Sequence, residues 1–204
     1  MNTVCVYNDP MMYGAHGITT AVEHQRKALQ IQGMEVKDKP KEPYDVIHIN
    51  WPGPFSYLRL KQAQRRGKLG VVFVHAGRSI ERGFTLSQYL VKPLVNKLWL
   101  SRIYRAADRV IAPTKYAKSK MKDFGVDPEK IRLVSNGVDF SRVEYSRQER
   151  RRYRERFNMD RPTVITIGQV KPRKDVNTFV EVARELPQYK FFWYGQTIDW
   201  SALP

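Results

Sequence analysis

Short apolar runs alternate with longer amphipathic or polar stretches along the chain. "TVCVYN" (3–8), "DVIHIN" (45–50), "GVVFVH" (70–75), "DRVIAP" (108–113) and "IRLVS" (131–135) are rich in Val and Ile and end in polar or turn-forming residues. Each predicts a strand. The stretches between them predict helices. Over 18–33, Ala21, Val22, Ala28 and Leu29 share one helical face and Gly33 supplies the stop. Residues 55–67 also stop at a glycine, 86–106 read as a long helix, and 114–125 open on Thr114 as N-cap. This alternation predicts an α/β fold: a Rossmann-like, doubly wound parallel sheet with helices on both faces. Ligands of such sheets sit at the carboxyl ends of the strands, so the loops after the strands carry the chemistry.

The pattern changes over 146–157, "SRQERRRYRERF", with six arginines, two glutamates and few apolar positions. This predicts a solvated helix or linker at a domain boundary. A new strand–helix–strand series then starts: "TVITIG" (163–168), "VNTFVEVARELP" (176–187) and "KFFWYG" (190–195). The expected organisation is a first domain over 1–145, a charged connection over 146–160, and an incomplete β-α-β start of a second domain over 161–204. That last piece is expected to pack on the edge of the first sheet or to pair its open strands with another chain, giving a homo-oligomer.

Composition narrows the class. Hydrophobic residues make up 42% of the chain, enough to bury a core and too many for a disordered segment. A single cysteine, Cys5, excludes a disulfide framework and a multi-cysteine metal site. The first residues lack a basic-then-apolar leader pattern, and no apolar run is long enough to span a membrane. The charge is the outlier: 36 Lys+Arg against 20 Asp+Glu give +16. Such a surface favours nucleic acid, anionic lipid headgroups or phosphorylated substrates. Nothing matches a helix-turn-helix, zinc-finger or RNP pattern, so nucleic acid ranks last.

Four places could carry chemistry. "YGAHGITTAVEHQ" (13–25) sets Gly14 and Gly17 between the first strand and its helix, where bare backbone can approach a phosphate or sugar; a tight turn is the competing reading. His75 ends a strongly apolar strand and so faces the ligand crevice, whereas His48 inside "DVIHIN" takes a structural reading and His24 reads as surface or helix packing. The region 85–110 is basic and amphipathic, with Lys92, Lys97, Trp99, Arg102 and Tyr104 around an apolar stripe. An ordinary core-facing helix is the favoured reading there, and insertion into an anionic bilayer surface the alternative. Arg173 and Lys174 lie in a loop before a helix and suit a diphosphate, against the plain reading of solvated surface charges.

Taken in order, "GAHGITTAVEHQRKAL", "DVIHIN", the strand ending in His75, "ADRVIAPTKYAKSKMKDFGV", "IRLVSNGVD" and "VITIGQVKPRKDVNTFVEVARELP" resemble the group 1 (family 4) retaining glycosyltransferases of GT-B fold. "AVEHQRKAL", "RKDVNTFVEVARELP" and "FFWYGQT" are most similar to its diacylglycerol glucosyltransferase branch. The resemblance implies an acceptor-side domain and a nucleotide-sugar domain facing across a cleft, and sugar transfer with retention. It implies no cofactor and no required metal. It also implies a protein of the cytoplasm, peripheral on the inner face of the membrane.

Carried over residue by residue, the resemblance sets Gly17 near the donor, His75 on the transferred sugar and Lys174 on the diphosphate. Two departures stand out. Gln169 occupies a position where the family commonly has Arg, a charge Arg173 would supply. The family's later pair of glutamates spaced seven apart is absent before Pro204. The chain by itself is therefore expected to lack most of its donor site. A non-catalytic acceptor-binding module working with a separate donor domain is the alternative.

Overall fold

The computed structural model describes residues 2–10, 16–75, 92–171 and 174–197. They divide into two compact units, 1–139 and 140–204. The first holds a six-stranded sheet in the order β2-β1-β3-β4-β5-β6, every neighbouring pair parallel. Its strands are β1 (Thr3–Tyr7), β2 (Glu35–Lys37), β3 (Val46–Ile49), β4 (Leu69–Phe73), β5 (Arg109–Ala112) and β6 (Ile131–Leu133). The described α-helices of this unit are α1 (His16–Ile31), α2 (Pro54–Arg65), α3 (Lys92–Ala106) and α4 (Lys115–Asp123). From β1 the chain moves outward to β2, then crosses back to β3 on the other side. The switch point of this doubly wound sheet therefore lies between β1 and β3.

Strand alternation assigns the two faces. Val4 and Val6 of β1 pack with Val22 of α1, joined by Ile18, Leu29, Met34 and Val46. Cys5 and Tyr7 point the other way, into the larger core of Ile47, Ile49, Val72 and Val74 with residues of α2, α3 and α4. Both faces are covered, which is why the strands read as near-continuous apolar runs. Thr114 caps α4 as its position predicts, its hydroxyl accepting from the Ala117 N–H at 3.0 Å. Pro93 stands in the first turn of α3, where its missing N–H leaves no helical hydrogen bond unmade. The short edge strand β2, "EVK", was not among the predicted strands; three half-polar residues leave no run to detect.

The second unit is β7 (Thr163–Ile167), α6 (Val176–Glu185) and β8 (Lys190–Tyr194), preceded by α5 (Arg147–Arg156). Strands β7 and β8 pair in parallel as a two-stranded sheet. Phe179 of α6 meets the edges of Phe191 and Trp193 at 5.4 and 5.2 Å, so α6 covers one sheet face. Ser146 caps the arginine-rich α5 through the Glu149 N–H. This helix is tied to its own unit by Arg154, which donates to the Arg161 carbonyl at 3.1 Å. Nearby, Lys190 pairs with Asp160 at 2.6 Å. Between α5 and the sheet runs a groove of about 460 Å³ lined by Tyr153, Phe157, Ile165, Ile167 and Tyr194.

Candidate functional site

The carboxyl ends of β1, β3 and β4 gather the polar residues of the first unit. Pairing sets Val6 beside His48 and His48 beside Val71, and paired residues share a face. His48 on β3 and Phe73 on β4 therefore lie on the α1 side, and the alternation continues to Asn50 and His75 just past these strands. The first turn of α1 contains Gly17 and no acidic residue, so its N–H groups favour an anion at the same end and face of the sheet. His75 Nε2 stands 2.9 Å from Asn50 Oδ1. The His75 ring leans on Phe73 at 4.9 Å, and His48 stacks on Phe73 at 6.0 Å. Burial pushes both imidazoles down to about 4. Both are neutral at pH 7, so His75 offers a hydrogen bond to a hydroxyl rather than a positive charge to a phosphate.

The opposite face supports this end. Asp9, just past β1 and 3% exposed, accepts through Oδ2 from the Ser56 N–H at 2.8 Å and the Ser56 hydroxyl at 2.9 Å. It does for α2 what the residue at the N-cap, Gly53, has no side chain to do. A Cβ at position 53 would stand 2.5 Å from that same oxygen, so the close approach requires glycine. Trp99 donates from Nε1 to the Pro52 carbonyl at 2.7 Å and meets the Tyr57 ring edge-on at 5.6 Å. Arg102 donates to the Tyr57 hydroxyl at 3.1 Å. The loop between β3 and α2 is thereby pinned from two directions.

These contacts revise the expectations for 85–110. Membrane insertion of this stretch, the alternative reading, would set Tyr104 on the acceptor or membrane side. Tyr104 is instead 1% exposed, a core residue meeting Phe124 edge-on at 5.6 Å, because the inward stripe of α3 runs through Leu100, Ile103 and Tyr104. Trp99 is half-buried and engaged in the fold, while Lys97 and Arg102 are exposed. Gly14, Arg173 and the side chain of Lys92 lie outside the described residues. His24 packs as a helix residue should, its Nδ1 2.9 Å from the Gly137 carbonyl, and neighbouring Lys27 pairs with Asp139 at 2.6 Å. Neither Asn50 nor Asp9 was singled out from sequence. Asn50 carries a weak signal, two residues past His48 on the same strand face.

In the second unit, Gly168 ends β7 and the Lys174 side chain lies over it. A Cβ at 168 would stand 3.8 Å from Nζ. Lys174 immediately precedes the N-terminus of α6, where Asp175 caps through Thr178 from a left-handed backbone (φ 57°). A cation, a helix N-terminus and a glycine at one strand end make an anion-favouring corner. Gln169, in the place of the family's arginine, accepts from Lys171 at 2.7 Å.

Comparisons with known proteins identify the family and the fold. The family model described as Glycosyltransferase Family 4 matches residues 36–142. The processive diacylglycerol alpha-glucosyltransferase of Acholeplasma laidlawii is 30% identical over 184 residues, 88% of this chain and 53% of that enzyme. The alpha-galactosylglucosyldiacylglycerol synthase of Streptococcus pneumoniae (strain ATCC BAA-255 / R6) is 26% identical over 155 residues, 74% of this chain and 41% of that one. The chain thus spans about half the length of the curated relatives it matches. The crystal structure of Anabaena HepE in complex with UDP and glucose shares the fold, with a TM-score of 0.68 at 13% identity over 97% of this chain and 62% of that one. The family match over 36–142, on a Rossmann-like sheet of GT-B type, leads to one conclusion: the chain belongs to Glycosyltransferase Family 4.

Proposed function

We propose that this chain supplies the acceptor-side domain and the opening β-α-β of the donor domain in an enzyme that moves a sugar from a nucleotide-sugar to a membrane lipid such as diacylglycerol, with retention. The observation that carries this reading is the similarity to the Acholeplasma diacylglycerol glucosyltransferase, which runs over 88% of the chain and so through both units. In this reading neutral His75 hydrogen-bonds the transferred sugar. Lys174 and the α6 N-terminus meet the charge that develops on the departing diphosphate, with no metal or cofactor needed. No described helix is long and apolar enough to cross a membrane. Access to lipid is therefore assigned to the basic surface: the enzyme works as a peripheral protein on the anionic inner face of the membrane, through Lys97, Arg102 and their neighbours. The open edges of the β7–β8 sheet suit pairing with a second copy.

Co-sedimentation with vesicles tests the acceptor side. The chain should bind phosphatidylglycerol vesicles containing diacylglycerol at low salt and be released at high salt. Lys97→Glu with Arg102→Glu should weaken binding, and no binding at low salt would contradict the membrane assignment. Retained lipid binding with no sugar transfer by the complete gene product would favour the non-catalytic module instead.

A further inference from the structure

Asn50 is 1% exposed, yet its amide is only half engaged. Oδ1 meets His75, and Nδ2 has no hydrogen-bond partner among the described residues. Buried amide donors are nearly always paired, and one left open beside a candidate ligand-binding histidine is out of the ordinary. His48, 6% exposed on the same face, likewise has an Nε2 without a hydrogen-bond partner among the described residues. Phe73 lies against both imidazoles and restricts the tilt of the His75 ring. Two unpaired polar atoms and an oriented imidazole thus share one strand-end face, the end where ligands of this fold class bind.

We infer that Asn50 is a positioning residue for His75: its Oδ1 holds the ring as the Nε2–H tautomer, leaving Nδ1 as acceptor for a sugar hydroxyl, and its buried Nδ2 is kept for an oxygen of the same ligand. The sugar in this statement rests on the proposed glycosyltransferase function; the tautomer does not. An asparagine suits the task because one planar amide presents an acceptor to the histidine and a donor to the ligand. A carboxylate there would hold the ring but offer no donor. A leucine would fill the space and do neither.

The experiment has two arms. In the first, ring-nitrogen NMR of the 204-residue chain reads the His75 tautomer, with His75→Gln identifying the signals. The wild type and Asn50→Asp should show Nε2–H, and Asn50→Leu a mixture; the Asn50→Asp carboxylate raises the pKa of the ring, so that variant is read at a pH high enough to keep the ring neutral. In the second, the complete gene product is assayed with UDP-glucose and diacylglycerol vesicles. At a pH where the His75 ring is neutral, Asn50→Asp should lower kcat/KM for the donor at least tenfold despite the retained Nε2–H tautomer, and Asn50→Leu should lower it further. A wild-type Nδ1–H tautomer, or a tautomer unmoved by Asn50→Leu, overturns the inference. Wild-type-like kcat/KM in Asn50→Asp overturns the role of Nδ2. If the tautomer responds as stated while the wild type transfers no sugar, the positioning stands and the functional reading falls. Asn50→Asp retains polarity and size, so it keeps the test decisive should Asn50→Leu fail to fold.

Discussion

At the residue scale, His48 and His75 are held neutral by burial, near 4 against an unperturbed 6.5. Their unfolded forms bind protons between these values and the native forms do not. Stability is therefore complete above about pH 6.5 and declines as pH falls toward 4, by about 3 kcal/mol for one such histidine. Urea unfolding at pH 7, 5.5 and 4.5 measures this slope, and His48→Gln should flatten it. A slope unchanged in that variant would place the acid sensitivity elsewhere. Asp9→Ala removes the acceptor for both Ser56 groups and should destabilise by about 2–3 kcal/mol, against about 1 kcal/mol for Ser56→Ala. His75 was legible in the sequence because an apolar run points at it. Asp9 and Asn50 were not, since a lone polar residue after a strand looks like an ordinary turn residue until its burial is known.

At the element scale, α3 shows what periodicity can and cannot assign. Leucines at helical spacing with interspersed cations establish an amphipathic helix. They do not say that Tyr104 falls on the inner side of the boundary and Lys97 on the outer. Strands β1, β3, β4 and β5 were readable because they lie inside the sheet and burial makes them largely apolar; at the edges, β6 still offers the run "IRLVS", whereas β2 offers only "EVK". In the second unit, β7 and β8 close together where Gly195 meets Gly168. A Cβ at 195 would lie 1.9 Å from the Gly168 carbonyl oxygen, and Trp193 donates to that same oxygen at 2.8 Å. Gly195→Ala should therefore part the strand ends and cost about 2–3 kcal/mol. Hydrogen exchange should show the loss in β7 and β8 alone, with β1 and β3–β6 retaining their protection. Equal loss in the six-stranded sheet would contradict the division into two compact units.

For the molecule as a whole, +16 of formal charge and the exposed Lys97 and Arg102 of α3 suit the proposed anionic surface, and the neutral His75 beside Asn50 suits the proposed sugar. In the proposed function the two features divide the work: charge brings the protein to its acceptor, and hydrogen bonds orient what is transferred. The most direct measurement is transfer of labelled glucose from UDP-glucose to diacylglycerol in phosphatidylglycerol vesicles by the complete gene product. The account predicts labelled lipid from the wild type and a loss of about 10²-fold or more in His75→Ala, with vesicle binding unchanged. Wild-type turnover in His75→Ala, or no labelled lipid from the wild type despite vesicle binding, would contradict it.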